Sequence, residues 1–412
     1  AVSGCPGPVH LQFRGNEGQV DQGECEYEAI TEDTFASVPP FRPAPDDASV
    51  QKAVDILQKA ARPIIVSGGG VKASGAGAEL VALAERLAIP VVTSLNGKDT
   101  FPSTHPLSGG VVGTYSRESA NRAVNEADLV CFIGTETGGM TTHFWAVPEI
   151  GRPAIQIDIE PESIGRNYPL QAAVQGDAKV TLARMVDLSD AGTAASRTVW
   201  VERIKELQGE WRAKHEDELR SDAVPIRPER LCQDLTDYLP DDAYVVVDTG
   251  HAGMWMGGMY DLKSTTQNYM RSAGHLGWAF PASLGVKCAL PDRPVVCFTG
   301  DAGFWYHIAE IESAVRWKIN AVIVVNNNGA GNQSKRGFDR AYGGEQTEQA
   351  KEMWTFSKVN FANIAEEMGA VGIRVENPGE IKGALEKALK MDRPVIIDVV
   401  TDIDAQAPLA AS

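Results

Sequence analysis

From residue 48 onward, short apolar runs alternate with amphipathic stretches. The runs at 63–67, 90–93, 129–133 and 153–159 are short and β-branched, with little polar alternation. Runs of this kind fit strands buried on both faces, as in a parallel sheet. Between them, 49–61 places Val50, Ala53, Val54 and Leu57 at helical spacing, and 76–87 and 116–125 are further helix candidates. The alternation returns after residue 198. A helix is predicted over 199–219, strands at 243–247, 294–298, 321–326 and 394–400, and helices at 278–289, 304–317, 360–368 and 378–390. The pattern predicts an α/β chain, two doubly wound parallel-sheet (Rossmann-like) domains in series.

Before residue 48 the pattern fails. One strand-like run, 8–13, has little around it to bury it. It is followed by a polar stretch, 31–47, holding Pro39, Pro40, Pro43 and Pro45, which reads as an extended linker. The expected organisation is therefore 1–47 as the end of a missing N-terminal domain plus linker, 48–190 as a central domain, and 191–412 as a second full domain. A small, polar stretch at 189–198 marks the soft boundary.

Composition narrows the function. The 43% of hydrophobic residues in 412 is enough to build large cores, which excludes a disordered tail or a peptide. A formal charge of −17 repels a phosphate backbone, so general nucleic-acid binding is not expected. No apolar run approaches the roughly 18 residues a membrane span needs. The six cysteines (Cys5, Cys25, Cys131, Cys232, Cys288 and Cys297) form no C-x-x-C pair and read as reduced core thiols of a cytoplasmic protein.

One constellation carries chemistry. Gly300-Asp301-Ala302-Gly303-Phe304 follows the strand at 294–298, and Asn326-Asn327-Asn328 ends the strand at 321–326. A right-handed βαβ crossover brings the carboxyl ends of parallel strands to one sheet edge. Asp301 and Asn328 are then neighbours despite 27 intervening steps along the chain. One carboxylate, one amide oxygen and nearby carbonyls suit Mg²⁺, which completes its octahedron with water and ligand phosphates. The bland reading is a turn followed by a polar loop. Two further segments speak against it: Asp248-Thr249-Gly250-His251 at another strand end, and Gly274-His275-Leu276-Gly277 running into a helix.

These three segments, in this order, resemble the diphosphate-binding domain of the thiamine-diphosphate enzymes, most closely the acetolactate synthase and 2-oxo-acid decarboxylase group. The family motif is Gly-Asp-Gly, a little under thirty residues, then Asn-Asn; here Ala302 replaces the second glycine. The resemblance implies metal ligation by Asp301, Asn328 and the backbone oxygen of Ala330. It implies cofactor contacts at Gly250, His251, Gly274, Gly300, Ala302 and Gly303, with Leu276 as the apolar wedge that bends the cofactor. Residues 46–190 resemble the family's middle domain, including Ile157-Asp158-Ile159-Glu160-Pro161 and Ile164-Gly165-Arg166. Pro6-Gly7-Pro8-Val9-His10-Leu11 resembles the last strand of the family's first domain.

The resemblance implies thiamine-diphosphate-dependent decarboxylation of a small, pyruvate-like 2-oxo acid with carboligation. A carbon–carbon lyase acting on a 2-hydroxyacyl-CoA or an aldehyde adduct, a simple decarboxylase, and a non-catalytic binding module of the same fold remain the alternatives. The cofactors implied are thiamine diphosphate and Mg²⁺, and the central domain is open to FAD or another nucleotide. A homo-oligomer, dimer or tetramer, is implied. In the family a glutamate of the first domain activates the cofactor; no residue here matches it, so an N-terminal domain or separate subunit is expected to supply it. His251 and His275 are the candidate proton donors. Lys335, Arg336 and Arg340 replace a tryptophan typical of true acetolactate synthases and either clamp an anion or are solvated. His143, Phe144 and Trp145 are read as packing.

Overall fold

A computed structural model describes residues 1–12 and 32–408 of the chain. Among these, two six-stranded sheets stand in series, both wholly parallel. The first is built from β1 Pro63–Ser67, β2 Val91–Thr93, β3 Ser108–Val111, β4 Leu129–Ile133, β5 Ala154–Asp158 and β6 Leu170–Gln175, in the order β3-β2-β1-β4-β5-β6. The second is built from β7 Tyr244–Val247, β8 Asn268–Arg271, β9 Val295–Gly300, β10 Val322–Asn327, β11 Val371–Val375 and β12 Val395–Val400, in the order β11-β12-β10-β9-β7-β8.

The uninterrupted apolar runs follow from burial of both faces. Side chains alternate along a strand. In the first sheet Ile65, Cys131 and Ile133 point into one core with Val50, Val54 and Leu57 of the helix Asp47–Lys59. Ile64, Val66, Val130 and Phe132 point into the opposite core. The second sheet repeats this, with Val245, Val247 and Phe298 on one side and Val246 and Cys297 on the other. Fully burying a side chain such as Leu57 contributes on the order of 2 kcal/mol. The helix Asp47–Lys59 starts where Asp46 accepts the backbone N–H of Ser49 at 2.8 Å.

The helix Thr198–Leu219 straddles the two units. Its early residues Trp200, Ile204 and Leu207 pack into the first sheet's core. Its later residues Trp211 and Leu219 pack into the second's. Cations from the first unit fasten onto the second. Lys98 Nζ donates to the Gly257 carbonyl at 3.1 Å, and Arg117 donates to the Gly258 carbonyl and pairs with Asp261, both at 2.7 Å.

Several expectations are corrected. The helix predicted at 304–317 is two helices, Asp301–Tyr306 and Glu310–Arg316, so the chain turns helical at Asp301 itself. Residues 8–12 form no strand and are exposed, Val9 and Leu11 among them; Phe13, the end of that predicted run, lies outside the described residues. Cys131, Cys232 and Cys297 are buried free thiols, but Cys5 and Cys288 are exposed rather than core; Cys25 lies outside the described residues. Phe144 and Trp145 are not core residues. They stand 64% and 41% exposed on a left-handed turn with positive φ at His143, Phe144 and Trp145. Four strands escaped the sequence reading: β3, β6, β8 and β11, which are the edge strands of the two sheets and carry polar or glycine residues. Among the described residues no helix is long and apolar enough to cross a membrane.

Candidate active site

The site grows from strand register. β10 pairs with β9 so that Asn326 lies opposite Gly300. β7 pairs with β9 so that Val247 lies opposite Phe298. Asp248, Asp301 and Asn328 therefore leave the sheet at the same carboxyl edge, near the point where strand order reverses between β7 and β9. This is where open parallel sheets bind ligands.

The side chains converge as the sequence predicts. Asp301 Oδ2 accepts the Ala330 N–H at 3.0 Å, and Asn328 Oδ1 accepts the same N–H at 3.2 Å. Asp301 Oδ1 accepts the Ala302 N–H at 2.7 Å. The Ala330 carbonyl already receives the Asn332 N–H at 3.1 Å, which leaves one lone pair for another partner. Of the three asparagines, the structure separates roles the sequence could not. Asn327 turns away and holds the Val359 carbonyl at 3.0 Å and Asp398 at 2.8 Å. Asn328 is left half-buried at the site.

Asp301 is 3% exposed, and among the described residues no lysine or arginine pairs with it. Burial pushes its carboxyl up to about 6, against the opposing pull of the N–H groups around it. A buried carboxylate without a cation is costly, and a divalent ion would offset that cost. The donor set fits a hard ion: carboxylate, amide and carbonyl oxygens. Among the described residues no three or more His, Cys, Asp or Glu side chains cluster as a metal site, so ligand oxygens would have to complete the shell.

Asp248 entered the sequence reading only as the first residue of the segment 248–251, with no role of its own, yet it ties three segments together. It accepts the Gly277 N–H at 3.0 Å, the Thr299 hydroxyl at 2.8 Å and the Thr249 N–H at 2.8 Å. Its position directly after an apolar strand was the available signal. A Cβ on Gly303 would lie 2.5 Å from Asp248 Oδ2, and one on Gly277 would lie 2.9 Å from the Gly303 carbonyl. Gly277 also has φ +89°. These two glycines let the loop at 274–278 lie directly on the start of the Asp301 helix.

The two candidate histidines part company. His251 opens the helix His251–Gly258, with Gly250 before it. Its Nε2 is buried without a partner, and burial, aided by the charge of Arg336, pulls its pKa down to about 4. It is therefore neutral near pH 7 and a poor proton donor there. His275 is exposed on the glycine-framed loop. Gly274 donates to Thr249 Oγ1 at 3.2 Å, and Leu276 stands 39% exposed beside it. Lys335 pairs with Asp339 at 3.1 Å, Arg336 donates to the Ala407 carbonyl at 3.3 Å, and Arg340 is exposed.

A cavity of about 1080 Å³ runs from the carboxyl edge of the first sheet to this loop. Glu136, Asp158 and Glu160 line one end; Thr249, Gly274 and Leu276 line the other. Arg271 and Gln333, which sequence reasoning also passed over, belong to the second group.

Residues 50–185 match the family model of the thiamine pyrophosphate enzyme central domain, and residues 248–399 match that of the C-terminal TPP binding domain. Over 99% of its length the chain is 31% identical to the "Probable acetolactate synthase large subunit" of Methanocaldococcus jannaschii, covering 69% of that protein. This chain belongs to the thiamine pyrophosphate enzyme family. It is also 31% identical to the glyoxylate carboligase of Escherichia coli, over 97% of this chain and 68% of that protein. With the acetolactate synthase large subunit of Haemophilus influenzae it shares 31% identity, over 86% and 61%. The C-terminal match begins at Asp248 and spans Asp301 and Asn328, so the family's TPP-binding unit is the one that carries the oxygen cluster.

Proposed function

We propose that this chain holds thiamine diphosphate through a Mg²⁺ ion and serves the decarboxylation of a small 2-oxo acid with carboligation. One observation carries the reading: the Asp301 and Asn328 oxygens meet at a single backbone N–H, with Asp301 buried and, among the described residues, paired with no lysine or arginine. Asp301, Asn328 and the free lone pair of the Ala330 carbonyl would hold the ion. Gly250, Gly300, Ala302 and Gly303 would border the diphosphate, with His251 following Gly250 at the start of its helix, where its neutral ring lines a small pocket with Lys335 and Arg336. Gly274 and Leu276 border the organic part. Bound thiamine diphosphate supplies the electron sink that carbon dioxide loss requires. The protein's part is to fix the ion, exclude water and position the substrate. His275, exposed on the loop, is the better placed of the two histidines to pass a proton to solvent.

The reading includes a glutamate supplied from outside this chain, by an N-terminal domain or separate subunit, and a homo-oligomer in the cytoplasm. The M. jannaschii relative extends well beyond the 69% of it that this chain covers. A flavin or other nucleotide fits the central cavity only in part. Glu136, Asp158 and Glu160 suit ribose hydroxyls. Among the described residues no lysine or arginine lines that end, Arg42 beside it is already paired with Asp177, and the N–H groups of Gly68 and Gly70 are spent on the Ile133 and Gly134 carbonyls. A diphosphate would find little support there, and no step is assigned to it.

Calorimetry tests the reading. Thiamine diphosphate is expected to bind the chain with Mg²⁺ present and to lose most of its affinity in EDTA. Metal-independent binding, or none, would overturn it. The isolated chain is expected to release little carbon dioxide from pyruvate, and rapid release would remove the outside glutamate from the scheme.

A further inference from the structure

Arg271 ends β8 at the mouth of the large cavity, three residues before Gly274. It forms no ion pair among the described residues. Its Nη2 makes one long hydrogen bond of 3.4 Å, to the neighbouring Ser272 carbonyl. Its Nε is buried with no acceptor. Its guanidinium lies over the Tyr115 ring, 5.7 Å from the centroid, a contact that leaves its N–H groups free for another partner. Among the described residues lining the cavity it is the sole cation, against Glu136, Asp158, Glu160 and Asp177. Asp177 is already paired with Arg42 at 3.0 Å, and the other three stand with the central domain's share of the lining.

A guanidinium cannot shed its charge, and a buried N–H without an acceptor is costly. The arrangement therefore asks for an anion that the described residues do not supply, presented to a planar fork. We propose that Arg271 binds the carboxylate of the second substrate, the 2-oxo acid that receives the new carbon–carbon bond. This rests on the carboligation reading above. The chemistry chooses between the two substrates. The first loses its carboxylate as carbon dioxide, and an arginine paired with that group would stabilise the ground state and oppose the step. The second keeps its carboxylate into the product. Pairing there orients the acceptor carbonyl at no cost to the reaction. Tyr115 of the central domain, Arg271 and Leu276 of the cofactor loop all line the cavity, so the fork is accessible to a ligand within it.

A phosphate on a cavity ligand would satisfy the same fork, so the test uses both anions. Oxamate, an unreactive carboxylate of 2-oxo-acid size, is titrated by calorimetry into the parent chain, Arg271→Ala and Arg271→Lys, with and without thiamine diphosphate and Mg²⁺. Neutral pyruvamide and ADP are titrated alongside. Arg271→Ala is expected to weaken oxamate at least tenfold, Arg271→Lys to restore part of that, and pyruvamide to be unchanged. Equal oxamate affinity in parent and Ala variant overturns the proposal. So does failure of the parent to bind oxamate, or an Arg271 dependence seen for ADP and not for oxamate. Failure of the parent to bind thiamine diphosphate counts against the functional reading instead, and is seen in a separate titration. Thermal melts of both variants show that the fold persists, and the Lys variant retains a cation over Tyr115 if the Ala variant does not fold.

Discussion

The two sheets reverse strand order at equivalent places and finish those places differently. In the first sheet the reversal lies between β1 and β4, and the turn after β1 is closed by backbone alone. Gly68 and Gly70 donate to the Ile133 and Gly134 carbonyls at 2.9 and 2.8 Å, and a Cβ on Gly68 would lie 2.2 Å from the Gly134 oxygen. The side chains beyond it, Asp158 and Glu160, face an open cavity. In the second sheet the reversal lies between β7 and β9, and side chains close it: Asp248 binds three segments, and Asp301 and Asn328 share one N–H. Topology sets where a ligand goes, and the side chains set which ligand it is. Asp158 and Asp301 make the contrast sharp. Burial raises both carboxyls, but Asp158 also feels the charges of Glu136 and Glu160, whereas the other influences on Asp301 are N–H groups.

The largest expected effect tests that contrast directly. Asp301→Ala should lower Mg²⁺-dependent affinity for thiamine diphosphate by on the order of a hundredfold or more, exceeding what groups behind a metal ligand usually carry. Asp158→Ala should leave the same affinity within about twofold, because its charge lies at the far end of the cavity. Titration calorimetry on both variants decides it. Equal losses would mean that the two sheet ends are not functionally distinct.

The next effect concerns how one sheet end rests on the other. Lys98 extends from the loop after β2 to the Gly257 carbonyl, 6.0 Å from the ring centroids of Tyr260 and Tyr269. Burial, with help from Arg117, pulls its pKa from 10.5 down to about 7, while Asp261 resists. Between these values the unfolded chain holds a proton that the folded chain lacks. The stability this group contributes is complete above the unfolded value and is lost as pH falls through about 7. Lys98→Met removes the buried charge. It should be more stable than the parent at pH 6 by about 1–2 kcal/mol, after the lost Gly257 bond is set against the gain. Its stability should also rise less than the parent's between pH 7 and 10. Urea unfolding of both proteins across this range measures the difference, and parallel profiles would show that the lysine is not the titrating joint.

What the sequence made legible follows the same division. Strands buried on both faces stood out because nothing polar interrupts them, and β1 and β4 were placed at their observed limits. Edge strands such as β6, with exposed residues on alternate positions, lacked that signature. The Asp301–Asn328 pair was legible because register in a βαβ unit is nearly forced. Asp248 and Arg271 were not, since their roles depend on which loops fold back over them. Helix 304–317 was misread because Ile308, Ile311 and Val315 keep helical spacing across the break at 307–309. That break leaves the first short helix free to carry Asp301 against Ala330.

The smallest effect lies at the one departure from the family's metal motif. Ala302 stands in the short helix Asp301–Tyr306 and contributes its N–H to Asp301 Oδ1 at 2.7 Å. A backbone contact of this kind needs no particular side chain. Ala302→Gly should therefore leave thiamine diphosphate affinity within about twofold, while lowering stability by about 0.5–1 kcal/mol through the entropy of a helical glycine. Calorimetry and urea unfolding on the same preparation separate the two effects. The neighbouring Gly303 has no such latitude, because its missing side chain is the space that Asp248 fills. The motif in this chain is thus defined by which glycine is sterically required, and a large gain in affinity from Ala302→Gly would show instead that the alanine methyl obstructs the diphosphate.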